Sequence, residues 1–514
     1  MYNNPKREVT VMQQVVDVKT MRESDTMTIH GGIPGRELMC RAGKAILESY
    51  PWQGPVAIVC GSGNNGGDGY VLADLLWEQK IPVVVFLLSD RFSEDGRFYF
   101  ETCRAKGVEV RPWTPEETFA DFSEIVDCIL GTGFAGEVQG RVADVIRAIN
   151  QSGKTVISVD INSGMNGDNG TSSLCVHSDL TVSLGFYKTG HFLNDAKDVI
   201  GRVINRDIGI DLYGSAAYLV EAEDLGAVLR PRRQNSHKGD YGYVSILGGC
   251  TSYAGAVKLA NLSCAALRAG CGVAQVILPM SIKESVAPHL LESTMACLPD
   301  DGEGHMTFSP AALNAALSKQ KALAIGMGWG RSPEYARILE HILRTQVLSL
   351  VIDADGLNIL AEMDPSILKS TACSVLLTPH LKEFERLSGV PMKEIQTDSI
   401  GHAMNYAKKT GVVLLLKGPC TVITNGEEVL LVNRGCAGMA TAGSGDVLAG
   451  VLVGLLGAAP VSPLTAACGA YVAGLAGELA QAESNPISML ASDTVAKIPA
   501  AISTILKAIR EKQP

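Results

Sequence analysis

Closely spaced cysteines are missing. Among 13, the nearest pair is Cys264 and Cys271, so the sequence offers neither a CxxC metal knuckle nor a disulfide framework. They read as buried thiols of a reducing compartment. A long apolar run is missing as well: the most membrane-like stretch, Val447 to Ala459, is shorter than the roughly 20 residues a span requires and runs into Pro460 and Pro463. It predicts a buried helix and no membrane partner. Positive charge is in deficit, with 44 Lys and Arg against 54 Asp and Glu for a net charge of −10, which argues against nucleic acid as a partner. Aromatics are only 5%, yet apolar residues reach 46% and charged residues 19%, which excludes a disordered or collagen-like chain. Met1 to Lys19 lacks a basic-then-apolar opening, so no signal peptide is expected and the expected location is cytoplasmic.

What the 514 residues do contain is a series of short apolar runs bounded by Gly or Asp. They are Val56–Cys60, Val83–Leu88, Ile125–Leu130 and Val156–Ile161, then Val244–Leu247, Ala274–Leu278, Leu323–Ile325, Leu348–Ile352, Val375–Leu377 and Val412–Leu416. Strands buried on both faces look like this. Helical spacing between them, as at Val71, Leu72, Leu75 and Leu76 or Ile338, Leu339, Ile342 and Leu343, predicts doubly wound α/β layers. The strand pattern lapses between Asp211 and Asp240, which places a domain boundary near residue 218, giving domains 1–218 and 219–514. The basic cluster Arg230 to Arg233 in that lapse reads as a solvated linker.

The first strand is followed by Gly61-Ser-Gly63-Asn64-Asn65-Gly66-Gly67-Asp68-Gly69. Gly61, Gly63 and Gly66 satisfy a dinucleotide-binding pattern, in which glycines let backbone N–H groups approach phosphate at a helix start. Asp68 would repel a pyrophosphate lying directly on the loop, so a ligand offering hydroxyl groups suits it better. Two further strand ends converge with it: Asp127 ahead of Gly131-Thr132-Gly133-Phe134, and Asp160 ahead of Asn162-Ser163-Gly164. Two acids with Asn65 and Ser163 make an oxygen-rich nest for a hard cation.

In the second half, Gly438 to Asp446 precedes the apolar helix beginning at Val447. Small residues there leave N–H donors free for an anion, and Asp446 is a candidate general base beside a phosphoryl group. Lys417-Gly418-Pro419-Cys420-Thr421, Asp353-Ala-Asp355-Gly356, Gly326-Met-Gly328 and Tyr253-Ala-Gly255-Ala256 are further glycine-rich strand ends of the same domain. His380 and Glu383, without a third ligand, fit helix capping better than a metal site.

With these residues in place, the chain resembles the fused NAD(P)H-hydrate repair enzymes, in which an epimerase domain precedes an ADP-dependent dehydratase of ribokinase-like fold. The resemblance runs from about Met21 almost to the C-terminus and rests on Gly61 to Gly69, Gly131 to Gly136, Asp160 with Ser163-Gly164, His237 to Gly242, Val351 to Gly356, Thr378-Pro379-His380 with Glu383, Lys417-Gly418 with Thr421, and Gly443 to Asp446. Ala442, Met327 and Asn162 depart from the family's usual glycine, proline and proline. The fold implied is two doubly wound three-layer α/β domains, Rossmann-like then ribokinase-like.

Carried over by position, the resemblance implies that Asn64, Asn65, Gly66, Gly67, Asp68, Gly131, Thr132, Gly133, Phe134, Ala135, Gly136, Glu137 and Asp160 bind the hydrated nicotinamide nucleotide in the epimerase domain. It implies K⁺ on Asn65, Asp127 and Ser163. In the dehydratase domain it implies substrate contacts from Ala256, Gly328, His380 and Asp446, and adenine-nucleotide contacts from Lys417, Gly418, Pro419, Cys420, Thr421 and Gly445. Asp446 and Asp160 are the expected catalytic residues, Mg²⁺ is expected with ADP, and a homo-oligomer is the expected assembly. The chief rival is a ribokinase-like small-molecule kinase with an N-terminal nucleotide-binding domain. An NAD-dependent dehydrogenase would rest on the first glycine loop alone.

Overall fold

The computed structural model describes residues 12–265 and 268–512, the side chains of 263–265 excepted. Residues 1–11 and 513–514, at the outer ends of the two expected domains, and the Cys264 side chain lie outside it. The chain divides into two compact units, Gln13–Ala217 and Tyr218–Pro514, with Met12 assigned to the second.

The first unit is built on a seven-stranded parallel sheet. Its order across the sheet is Glu109–Pro112, Val83–Leu87, Val56–Cys60, Glu124–Cys128, Thr155–Val159, Ser178–Leu184 and Ile200–Arg206. Successive residues of the central strands enter different cores. Ile58, Cys60, Val126, Cys128, Ile157 and Val159 join one cluster, while Ala57, Val59, Ile125 and Val156 join another. Both faces are therefore buried under helices, which is why these strands read as unbroken apolar runs. Sequence order reverses between Val56–Cys60 and Glu124–Cys128, so a crevice opens beyond their carboxyl ends.

In the second unit seven parallel strands run in the order Thr294–Leu298, Val273–Pro279, Tyr243–Leu247, Ala322–Ile325, Ser349–Ile352, Ser374–Leu377 and Val413–Leu416. Thr421–Thr424 and Val429–Val432 extend the sheet antiparallel. The reversal here falls between Tyr243–Leu247 and Ala322–Ile325. Helices Ser444–Leu456, Pro463–Glu483 and Ala491–Glu511 contribute heavily to the principal core.

Several expectations need correcting. A strand, Ala217–Leu219, lies inside the stretch expected to lack one, and pairs parallel with Val429–Val432. The basic cluster Arg230 to Arg233 is exposed, as a solvated linker is, and is held at one point, where Arg232 stacks over the Tyr241 ring at 4.1 Å and donates to Gly270 O at 2.9 Å. No disulfide forms among the described cysteines, and Cys40, Cys297 and Cys436 are only partly buried. No helix among the described residues is long and apolar enough to cross a membrane.

Candidate functional site

At the first unit's reversal point the chain turns so tightly after Cys60 that a Cβ on Gly61 would lie 1.9 Å from Ile129 O. Gly61 N donates to Cys128 O at 3.0 Å, locking the two strand ends together. The helix Asn64–Glu78 starts earlier than expected, so Asn64 to Asp68 occupy its first turns rather than a preceding loop. Gly63 caps it without a side chain, which leaves N–H groups at the helix start free for a ligand.

Beneath this turn the three expected cation ligands form one connected group. Asn65 Nδ2 donates to Leu130 O at 3.0 Å, while its buried Oδ1 has no hydrogen-bond partner. Ser163 Oγ contacts Leu130 O at 3.2 Å and accepts from Leu130 N at 2.8 Å. The fully buried Asp127 carboxylate accepts from Ser163 Oγ at 2.5 Å, Ser163 N at 2.9 Å, Ser158 Oγ at 2.9 Å and Ile129 N at 3.2 Å. Burial pushes the Asp127 carboxyl up, and those hydrogen bonds oppose the rise.

Above the group lies a cavity of about 690 Å³ lined by Asn64, Asn65, Asp68, Gly131 to Ala135 and Asp160, and also by Arg22, Asp25 and Asp95. Gly66, Gly67, Gly136 and Glu137, expected at the ligand, do not line it. A Cβ on Gly66 would meet Gly61 O at 2.4 Å, and one on Gly67 the Met39 side chain at 2.5 Å, so these glycines serve the packing of the turn. Asp68 is only 9% exposed, and burial, with Asp160 and Asp25 nearby, pushes its carboxyl well above the usual range. The repulsion of pyrophosphate expected from Asp68 is weakened accordingly.

Asp160 sits in left-handed backbone (φ 65°), its N–H donating to Val182 O at 2.8 Å. Its carboxylate is ion-paired with Lys188, whose side chain is wholly buried. His191 reaches Asp160 O through Nε2 at 2.8 Å, and burial beside Lys188 pushes its pKa down to about 3. Sequence reasoning missed Lys188. The strand before it, Ser178–Leu184, interleaves Ser, Asp and Thr and fails the apolar-run criterion, yet Gly185 and Lys188, the latter in the short strand Tyr187–Lys188, follow it as polar ends follow the other strands.

The second unit's site gathers at four strand ends. Gly443 (φ 94°) heads the helix Ser444–Leu456, with no side-chain cap competing for its first N–H groups. A Cβ on Gly445 would lie 3.4 Å from Asp353 Oδ2 and 3.7 Å from Lys417 Nζ, so these groups are neighbours. Lys417 Nζ donates to Asp353 Oδ1 at 2.8 Å and lies 3.8 Å from Glu383 Oε2. Burial, with Asp353 and Asp355 nearby, pushes the Asp446 carboxyl up to about 7 against the opposing pull of Lys417. His380 caps the helix Leu381–Ser388 reciprocally with Glu383, the capping geometry expected of the pair. A Cβ on Gly328 would lie 3.0 Å from that of Ala256, so these two expected contacts adjoin. Gly418 to Cys420 form the hairpin between Val413–Leu416 and Thr421–Thr424; Gly418 and Pro419 are exposed and Cys420 is buried. Asp353, Asp355 and Glu383 were legible as motif residues but not as partners of Lys417 and Asp446.

Of the departures, Ala442 is exposed and Met327 is fully buried. Asn162 is buried with both side-chain polar atoms engaged: Nδ2 lies within hydrogen-bond distance of Val176 O, Ser178 Oγ and Val199 O, which share its two N–H groups, and Oδ1 accepts from Thr181 Oγ1.

Residues 244–500 match a family model described as NAD(P)H-hydrate dehydratase, and residues 35–190 match one described as YjeF-related protein N-terminus. A bifunctional NAD(P)H-hydrate repair enzyme Nnr of Coxiella burnetii is 33% identical over 491 residues, 92% of this chain and 96% of the relative. One of Moorella thermoacetica is 34% identical over 493 residues, covering 91% and 92%. A solved ribokinase-like superfamily protein from Enterococcus faecalis superposes with a TM-score of 0.50 at 23% identity, covering 57% of this chain and 98% of the other, and shows the fold.

Proposed function

This chain belongs to the bifunctional NAD(P)H-hydrate repair enzymes, and from that premise we propose how its two sites divide the work. Residues 1–218 interconvert the R and S forms of hydrated NADH and NADPH; residues 219–514 dehydrate the S form at the expense of ADP, giving AMP and phosphate. The positions of the two family matches, 35–190 and 244–500, support this division.

Hydration leaves a hydroxyl on C6 of the nicotinamide ring, a poor leaving group. Asp446 takes the proton of that hydroxyl as its oxygen attacks the terminal phosphorus of ADP, and the bond from that phosphorus to the bridging oxygen breaks to release AMP. The C5 proton then passes to the departing phosphate as the C5–C6 double bond re-forms and the C6–O bond breaks. N–H groups at the start of the Ser444–Leu456 helix and the Lys417 ammonium would receive the phosphoryl charge. Asp353 and Asp355 suit Mg²⁺, which favours carboxylates together with phosphate oxygens and would neutralise the diphosphate. The single observation carrying this reading is the placement of Asp446: in the first helical turn, among carboxylates, with its pKa near that of a base working at neutral pH.

In the epimerase site Asp160 takes the proton of the C6 hydroxyl as the C6–N1 bond breaks to leave a C6 carbonyl and the ring nitrogen takes up a proton; the same steps in reverse, with N1 closing on the carbonyl's other face, give the other epimer. The orphaned Asn65 Oδ1, together with the Asp127, Ser163 and Leu130 oxygens, has the chemistry of a K⁺ site, whose charge would organise the loops at the substrate. The described cysteines, held as thiols and not joined in disulfides, support a cytoplasmic location.

The test is an epimer mixture supplied with ADP. The whole chain should restore all of it to reduced coenzyme with equal AMP and phosphate. Asp160→Asn, which keeps an acceptor for Lys188, should restore the S share at the normal rate and the R share 10²–10⁴-fold more slowly than wild type, down to spontaneous interconversion. A stable phosphoester without reduced coenzyme would establish a kinase instead.

A further inference from the structure

We propose that Lys188 is the positioning residue of the epimerase site: its ammonium group grips Oδ1 of Asp160 and aims Oδ2 at the substrate's C6 hydroxyl. The proposal rests on Asp160 being the proton-exchanging group. Lys188 Nζ donates to Asp160 Oδ1, to Leu184 O at 2.9 Å and to Ser183 Oγ at 3.3 Å. An ammonium group has three N–H donors, and all three are committed. With its side chain wholly buried, Lys188 has neither a spare donor nor a path to the ligand, so it acts through Asp160.

The remaining oxygen, Oδ2, lies toward Gly131, 3.8 Å from where a Cβ on that glycine would be, and Gly131 and Asp160 both line the cavity. The backbone is held from the same side. Lys188 N donates to His191 Nδ1 at 3.1 Å, which makes Nδ1 the acceptor and leaves Nε2–H to donate to Asp160 O at 2.8 Å. Lys188 and His191 thus close a ring around Asp160 that fixes both its left-handed backbone and its carboxylate plane. Angstrom-scale misplacement of a reacting group costs on the order of 10²-fold in rate, which sets the effect expected when the grip is lost.

The test is a cycle of Lys188→Met, Asp160→Asn and the double variant in the full chain, followed by chromatographic measurement of epimer interconversion. Lys188→Met should lower kcat about 10²-fold with KM within twofold, while ADP-dependent turnover of the S form stays unchanged. The double variant, which buries no unpaired charge, should match Asp160→Asn within threefold. It reads the coupling even if Lys188→Met alone folds poorly. Losses that multiply in the double variant, a KM-only effect, or a Lys188→Met enzyme within threefold of wild type would overturn the proposal.

Discussion

Replacing Asp446 by Asn removes a base without changing the size of the side chain or the loop that precedes it. General-base catalysis is typically worth about 10²–10⁴-fold, so dehydration should fall by at least that range while ADP still binds and epimerisation continues. The pH dependence of wild-type dehydration sharpens the test. With the carboxyl at about 7, the base form is half populated there, so turnover of S epimer should fall by nearly tenfold for each pH unit below 7 and rise no more than about twofold above it. Stability should move the other way. The pKa is raised from 3.8, so the native protein holds a proton that the unfolded chain has released; the resulting stabilisation is complete below 3.8 and lost as pH rises through about 7. Asp446→Asn should therefore melt higher than wild type at pH 8, exchanging activity for stability. Initial rates of coenzyme recovery across pH 5–9, paired with thermal melts of both proteins, check all three expectations. An acid limb near 4, or an Asn variant turning over within a few-fold of wild type, would refute the base assignment.

Two other changes probe the first unit. Asn65→Leu removes the orphaned oxygen and should abolish any stimulation of epimerisation by K⁺ over a non-coordinating cation, with the dehydratase unaffected; retained stimulation would take Asn65 out of the cation site. Gly61→Ala would put a methyl 1.9 Å from Ile129 O, forcing the two strand ends apart; overpacking of this kind costs about 1–3 kcal/mol, read from denaturant unfolding.

How much of this was legible in the sequence depended on burial. Val56–Cys60 and its neighbours announced themselves because both faces of the sheet are covered. Glu109–Pro112, an edge strand with two charged residues in four, left no apolar run, and neither did Ile200–Arg206 at the opposite edge. Asp160 and Asp446 were readable as acids at strand and helix ends. Lys188 was not, because what gives it a role is the fold that buries its ammonium group against Asp160, and no local spacing records that. Likewise His380 and Glu383 read correctly as a cap, but the cap's second task, holding Glu383 3.8 Å from Lys417, appears only when strands Ser374–Leu377 and Val413–Leu416 lie side by side.

Around Lys417 and Asp446 the second unit assembles four carboxyl groups, those of Asp353, Asp355, Glu383 and Asp446, which outnumber the cations acting on them among the described residues, Lys417 and, on Glu383, Arg386. A diphosphate arriving alone meets an adverse field, whereas one arriving with its cation does not. Affinity for nucleotide and affinity for metal are then linked, each raising the other by the same factor. Repair of damaged coenzyme would in this way respond to free magnesium as well as to the adenylate pool, through a charge imbalance built into the resting fold.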